Sequence, residues 1–158
     1  MTETQSVTAR DPLKGDSAYT VRLDIHSSID MVTLVQAVTD GVGRLAGLGG
    51  DALDSVRLSV RECVSNAITH GNHRDPAKRV AIDFSTTPPV NPTELTIWVR
   101  DQGAGFDPSL VANPTNPDRL LLTSGRGIFL MRQLMDDVSW RRSPQGGVEV
   151  RMVKHIVR

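Results

Sequence analysis

Short stretches with an apolar residue at every second position recur along this chain, and that spacing limits its fold more than anything else in the sequence. Residues 19–25 alternate apolar and polar side chains. Val80, Ile82 and Phe84 share one face of 79–85, and Leu95, Ile97 and Val99 share one face of 94–100. Residues 138–142 and 148–156 read as two more strands, split by a Ser-Pro-Gln-Gly-Gly turn at 143–147. A period of two places all the apolar members of a strand on one sheet face. That face must then be covered.

The cover comes from stretches with helical spacing. Ser28 or Asp30 can cap a helix whose apolar set is Met31, Val32, Leu34, Val35, Val38, Val42 and Leu45, and Gly47, Gly49 and Gly50 end it. A second helix starts at Asp51 or Asp54 and runs to about His70, with Leu53, Val56, Val60, Val64, Ala67 and Ile68 turned to the core. Gly71-Asn72 stops it. A third spans 127–135. Prolines make 86–92 a loop. Residues 107–124, with Pro108, Pro114 and Pro117 and little periodicity, read as a lid. Residues 1–17 are polar and aperiodic, a loose tail ahead of a single domain at 18–158. The order of elements predicts α+β architecture: one mostly antiparallel sheet with helices packed on one face.

Composition removes several functions. Lys plus Arg and Asp plus Glu both number 18, so no global charge draws the chain to nucleic acid or an anionic membrane. Cys63 is the sole cysteine and can form neither an internal disulfide nor a thiolate metal cage. His26, His70, His73 and His155 lack metal-ligand spacing. With no apolar run of transmembrane length and no apolar core in the first residues, the cytoplasm is the expected compartment.

Three segments carry chemistry. Glu62 and Asn66 stand one helical turn apart on the polar face of the second helix, with His70 a further turn on. Glu62 can act as a general base or position a nucleophile, and the Asn66 amide oxygen suits Mg²⁺, which takes few protein ligands. Asp101 closes a strand and opens Asp-Gln-Gly-Ala-Gly, where Gly103 and Gly105 let the backbone pass close to a ligand. Its carboxylate can accept a hydrogen bond from an adenine amino group. Gly125-Arg126-Gly127 precedes a helical run, so exposed amides and Arg126 can meet phosphate. Taken singly, each has a plain structural reading: a solvated helix face, an Asp-Gly turn, a glycine-rich linker.

In this order they resemble the ATP-binding domain of the gyrase, heat-shock chaperone and histidine kinase superfamily. The runs Glu62-Cys63-Val64-Ser65-Asn66-Ala67-Ile68-Thr69-His70-Gly71, Arg100-Asp101-Gln102-Gly103-Ala104-Gly105 and Ser124-Gly125-Arg126-Gly127-Ile128 are similar to those of the anti-sigma-factor serine kinases. The resemblance implies a Bergerat-type two-layer α/β sandwich with a mixed, mostly antiparallel sheet. It implies ATP and Mg²⁺ as cofactors and a sigma factor held inactive. It also implies a serine on an anti-anti-sigma protein as substrate, and a homodimer. By position, Glu62 would be the catalytic base and Asn66 the Mg²⁺ ligand. Asp101 would bind adenine, and Gly103, Gly105, Gly125 and Gly127 would shape the pocket. Where the family has Gly followed by Thr, this chain has Gly146-Gly147-Val148. That departure keeps open a second reading, a nucleotide-binding partner-switch module without kinase activity.

Overall fold

In the computed structural model, which describes residues 20–88, 90–103 and 123–158, the alternating stretches become strands. They are β1 (Thr20–His26), β2 (Arg79–Thr87), β3 (Glu94–Arg100), β4 (Asp137–Arg142) and β5 (Val148–His155). One sheet takes the order β1-β2-β3-β5-β4, and every pairing among the described residues is antiparallel. The period of two is expressed as rows across the sheet. Leu23, Ile82, Val99, Val150 and Trp140 face one another strand to strand, and so do Val21, Phe84, Ile97, Met152 and Val138. A one-residue slip would turn both rows to solvent, so their burial fixes the register.

Three helices cover that face: α1 (Met31–Ala46), α2 (Gly50–Asn66) and α3 (Thr123–Leu134). Val35, Val42, Val56, Val60, Val64 and Met131 join the sheet residues in one core. Each fully buried large aliphatic side chain contributes about 1.5–3 kcal/mol.

Four local expectations need correction. Leu34 and Leu45 belong to the expected apolar set of α1, yet they are 48% and 77% exposed. They lie eleven residues apart on one stripe that turns away from the sheet. The buried stripe is instead Val35, Thr39, Val42, Gly43 and Ala46. Neither α1 nor α2 has a side-chain N-cap hydrogen bond, and α2 begins at Gly50, ahead of Asp51 and Asp54. The α-helical part of α2 ends at Asn66, and Ala67–Gly71 form a π-helical turn. Finally, β2 continues through Thr87, because Thr86 and Thr87 pair with Leu95 and Glu94. The expected tail and most of the expected lid, 107–122, lie outside the described residues.

The other face of the sheet is tied by charge. Arg22 of β1 binds Asp83 of β2 at 2.6 Å, and Asp83 also binds Arg100 of β3. Arg100 continues to Glu149 of β5, which meets Arg141 of β4 at 2.8 Å. The line crosses all five strands with alternating sign. The Asp83 side chain is fully buried. Burial alone would push its carboxyl up, but hydrogen bonds and charge from Arg22 and Arg100 prevail and hold it below its usual range. Its stabilisation is therefore complete above the unfolded-state pKa, about 3.9, and lost as pH falls through the lower folded-state value. Asp83→Ala should cost about 3 kcal/mol in chemical denaturation at neutral pH, because it removes the buried carboxylate that Arg22 and Arg100 share. The variant should also lose less stability than the wild type on acidification. An acid limb identical in the two proteins would contradict the assignment.

Candidate functional site

The polar face of α2 ends in Glu62 and Asn66, both partly exposed, while Cys63 and Val64 between them are buried. Helix α3 packs against this end. A methyl group added at Gly127 would lie 2.6 Å from Asn66 Nδ2 and 3.6 Å from Glu62 Oε2. The absence of a side chain at position 127 thus brings α3 against both groups. The structure joins two of the three sequence segments at this point.

The position of Gly127 in its helix differs from the expected one. Helix α3 starts at Thr123, so Gly125 and Arg126 occupy its first turn and Gly127 lies in its body. First-turn amides lack intrahelical acceptors, so the amides open to an anion are those of 123–126. Gly127 provides clearance for Asn66 and Glu62. Gly105 and the Arg126 side chain lie outside the described residues.

Asp101 follows β3 and is 8% exposed. Its Oδ1 accepts hydrogen bonds from the backbone N–H of Gly103 at 3.0 Å and of Val148 at 3.1 Å. Its own N–H donates to the Val148 carbonyl at 3.1 Å. Among the described residues no hydrogen bond reaches Oδ2, which is left to accept from a ligand. Burial raises the Asp101 pKa above its ordinary value, against the opposing pull of the Gly103 and Val148 N–H groups and the charge of Lys78.

Three glycines close around this carboxylate. A methyl at Gly71 would sit 2.9 Å from Asp101 Cβ, and one at Gly103 would run into the Gly71 backbone. At Gly147, where φ is +82°, it would lie 2.6 Å from Asp101 Oδ1. Local spacing assigned Gly71 to a helix stop and Gly147 to a turn, while the family resemblance set Gly146-Gly147-Val148 on the adenine side of the pocket. Their place beside Asp101 depends on strand ends that are distant in the chain.

Between the two polar points lies a cleft of about 540 Å³, mouth included. Val99, Val148, Val150, Ile128 and Met131 wall it, and Asn66, His70 and Asp101 contribute its polar groups. An apolar cleft with a few placed polar groups suits a flat heterocycle. Cys63, expected in the core, is buried and also lines the cleft, and burial pushes its thiol pKa up. Val148 stands where the family resemblance would put threonine. Its side chain is part of the wall, while its backbone N–H and carbonyl hold Asp101.

Among the described residues no three His, Cys, Asp or Glu side chains converge as a metal cage. The donor set at Asn66 fits Mg²⁺ nonetheless: one amide beside one carboxylate, at a point cleared by a glycine. Among the described residues no helix is long and apolar enough to cross a membrane.

The histidine kinase-like ATPase domain matches residues 25–154. The serine-protein kinase RsbW of Bacillus subtilis (strain 168) is 27% identical over 150 residues, covering 91% of this chain and 89% of that relative. RsbW of Staphylococcus aureus is 27% identical over 143 residues, with 86% of each chain covered. The anti-sigma F factor of Bacillus subtilis (strain 168) is 34% identical over 110 residues, 67% of this chain and 71% of that relative. With the glycine-lined carboxylate, the apolar cleft and the Glu62–Asn66 pair in one place, the chain belongs to the histidine kinase-like ATPase family, in the branch of the serine-protein kinases RsbW and the anti-sigma F factor.

Proposed function

We propose that this protein is an ATP-dependent protein-serine kinase and anti-sigma factor that phosphorylates a serine of an anti-anti-sigma protein. The observation that carries this reading is the meeting of Glu62, Asn66 and Gly127 beside the cleft that Asn66 and Asp101 line. Asp101 Oδ2 accepts from the adenine amino group, and the valines clasp the ring. Asn66 holds Mg²⁺, which when bound neutralises charge on the triphosphate oxygens. Glu62 takes the proton of the attacking serine hydroxyl. A bond forms between the serine oxygen and the γ-phosphorus, the bond to the bridging oxygen breaks, and ADP leaves. The first-turn amides of α3 at Gly125 and Arg126 face the phosphates.

The partners follow from the same reading: a sigma factor held inactive, the anti-anti-sigma protein as competing substrate, a homodimer as the working unit, and the cytoplasm as the compartment. The test is transfer of label from γ-labelled ATP, with Mg²⁺, to a recombinant anti-anti-sigma protein. Label on serine is the expected result. Tight ATP binding with no label on any partner would replace the kinase by a partner-switch module that uses nucleotide to set its shape.

A further inference from the structure

Asn72 stands outside the three segments that the sequence singled out, yet it is fully buried and uses every polar group it has. Its side-chain Nδ2 donates to Ser27 Oγ at 2.6 Å and to the Arg79 carbonyl at 2.9 Å. Its Oδ1 accepts from the Gln102 N–H at 2.7 Å. Its backbone N–H closes the π-helical turn on the Ala67 carbonyl at 2.8 Å, and its carbonyl accepts from the Asp75 N–H at 3.0 Å. A buried amide with all its bonds made is a rigid joint, because each broken bond leaves a desolvated polar group.

The places it joins are telling. Ser27 follows β1, Arg79 begins β2, and Gln102 lies next to Asp101 after β3. A second strap runs beside it, from the Arg79 N–H to the Gln102 side-chain oxygen at 2.7 Å. The turn that Asn72 closes carries Gly71, whose backbone packs against Asp101 and Gly103. Asn72 therefore holds both the residue after Asp101, through its side chain, and the glycine that Asp101 rests on, through its backbone.

We propose that Asn72 is the positioning residue for base recognition: it aims the Asp101 carboxylate at the exocyclic amino group of the purine without touching the nucleotide. This rests on the reading of Asp101 as the adenine acceptor. The role is specific to one end of the ligand. Loosening Asn72 lets the Asp101-Gln102-Gly103 turn shift and so weakens recognition of the amino group, whereas the Val99, Val148, Val150, Ile128 and Met131 walls and the Glu62–Asn66 end belong to β3, β5, α2 and α3.

The test is a cycle of two ligands and two proteins, read by calorimetry with Mg²⁺. The ligands are ATP and purine riboside triphosphate, which lacks the 6-amino group. The wild type should prefer ATP. In Asn72→Ala the preference should fall about fivefold or more, the worth of one well-aimed hydrogen bond, with affinity for the amino-free analogue nearly unchanged. A purely structural role would weaken both ligands alike and leave their ratio intact, which would overturn the proposal. Ser27→Ala keeps Asn72 and removes one anchor. It should halve the preference or more, and it decides the matter if Asn72→Ala lacks a cooperative unfolding transition. A wild type that binds both ligands equally would refute the adenine reading of Asp101 itself. A wild-type preference retained in both variants would refute only the part given to Asn72.

Discussion

Glu62→Ala will slow phosphoryl transfer about 10²- to 10⁴-fold, the usual contribution of a general base, while leaving ATP affinity within about twofold. The two effects separate because of where Glu62 sits. It lies one turn before Asn66 on the exposed side of α2, and Gly127 faces both side chains. The residues that wall the cleft do not include it. On the proposed reading, removing its carboxylate takes away the acceptor for the serine proton but neither the ring walls nor the Asp101 contact. Single-turnover transfer measures the first quantity and calorimetry the second. A transfer rate equal to wild type would take Glu62 out of the chemistry. A joint collapse of rate and affinity would make it a nucleotide ligand instead.

Asp101→Asn acts at the other end and should weaken ATP binding about a hundredfold. Asparagine can keep its oxygen where Oδ1 accepts from Gly103 and Val148. It then presents an N–H group toward the adenine amino group, donor against donor. The fold should not suffer. Because burial raises the Asp101 pKa, folding favours its protonated form: that stabilisation is complete below the unfolded pKa and lost as pH rises through the folded value. Above that value the ionised carboxylate is a cost, which the amide removes, so unliganded Asp101→Asn should unfold at equal or higher denaturant. Wild-type ATP affinity should fall as pH drops through the raised pKa, and the variant's should not follow it. Equal affinity in both proteins would overturn the assignment.

The strands and helices were legible because periodicity is local: Val80, Ile82 and Phe84 declare a buried face without reference to anything else in the chain. The placement of Glu62 and Asn66 on one helix face was legible for the same reason, since four residues make about one turn. The features that escaped are those made by distant partners. Asp83 reads as an ordinary polar position on an alternating strand, and its burial depends on Arg22, sixty-one residues away, and on Arg100. Asn72 reads as the end of a helix, and its importance comes from Ser27, Arg79 and Gln102, which reach it only after the sheet has formed. Leu34 and Leu45 failed in the opposite sense. Their helical spacing is sound, but the breadth of the sheet beneath α1 decides which apolar residues are covered, and spacing says nothing of that breadth.

The line of charge across the outer sheet has an evolutionary consequence. Each inner member, Asp83, Arg100 and Glu149, touches two neighbours of opposite sign. No single sign reversal can be absorbed by changing one partner, because the exchange leaves a repulsive contact further along. Among descendants of this chain the five positions should therefore drift as a block: retained together, reversed together, or replaced together by uncharged side chains.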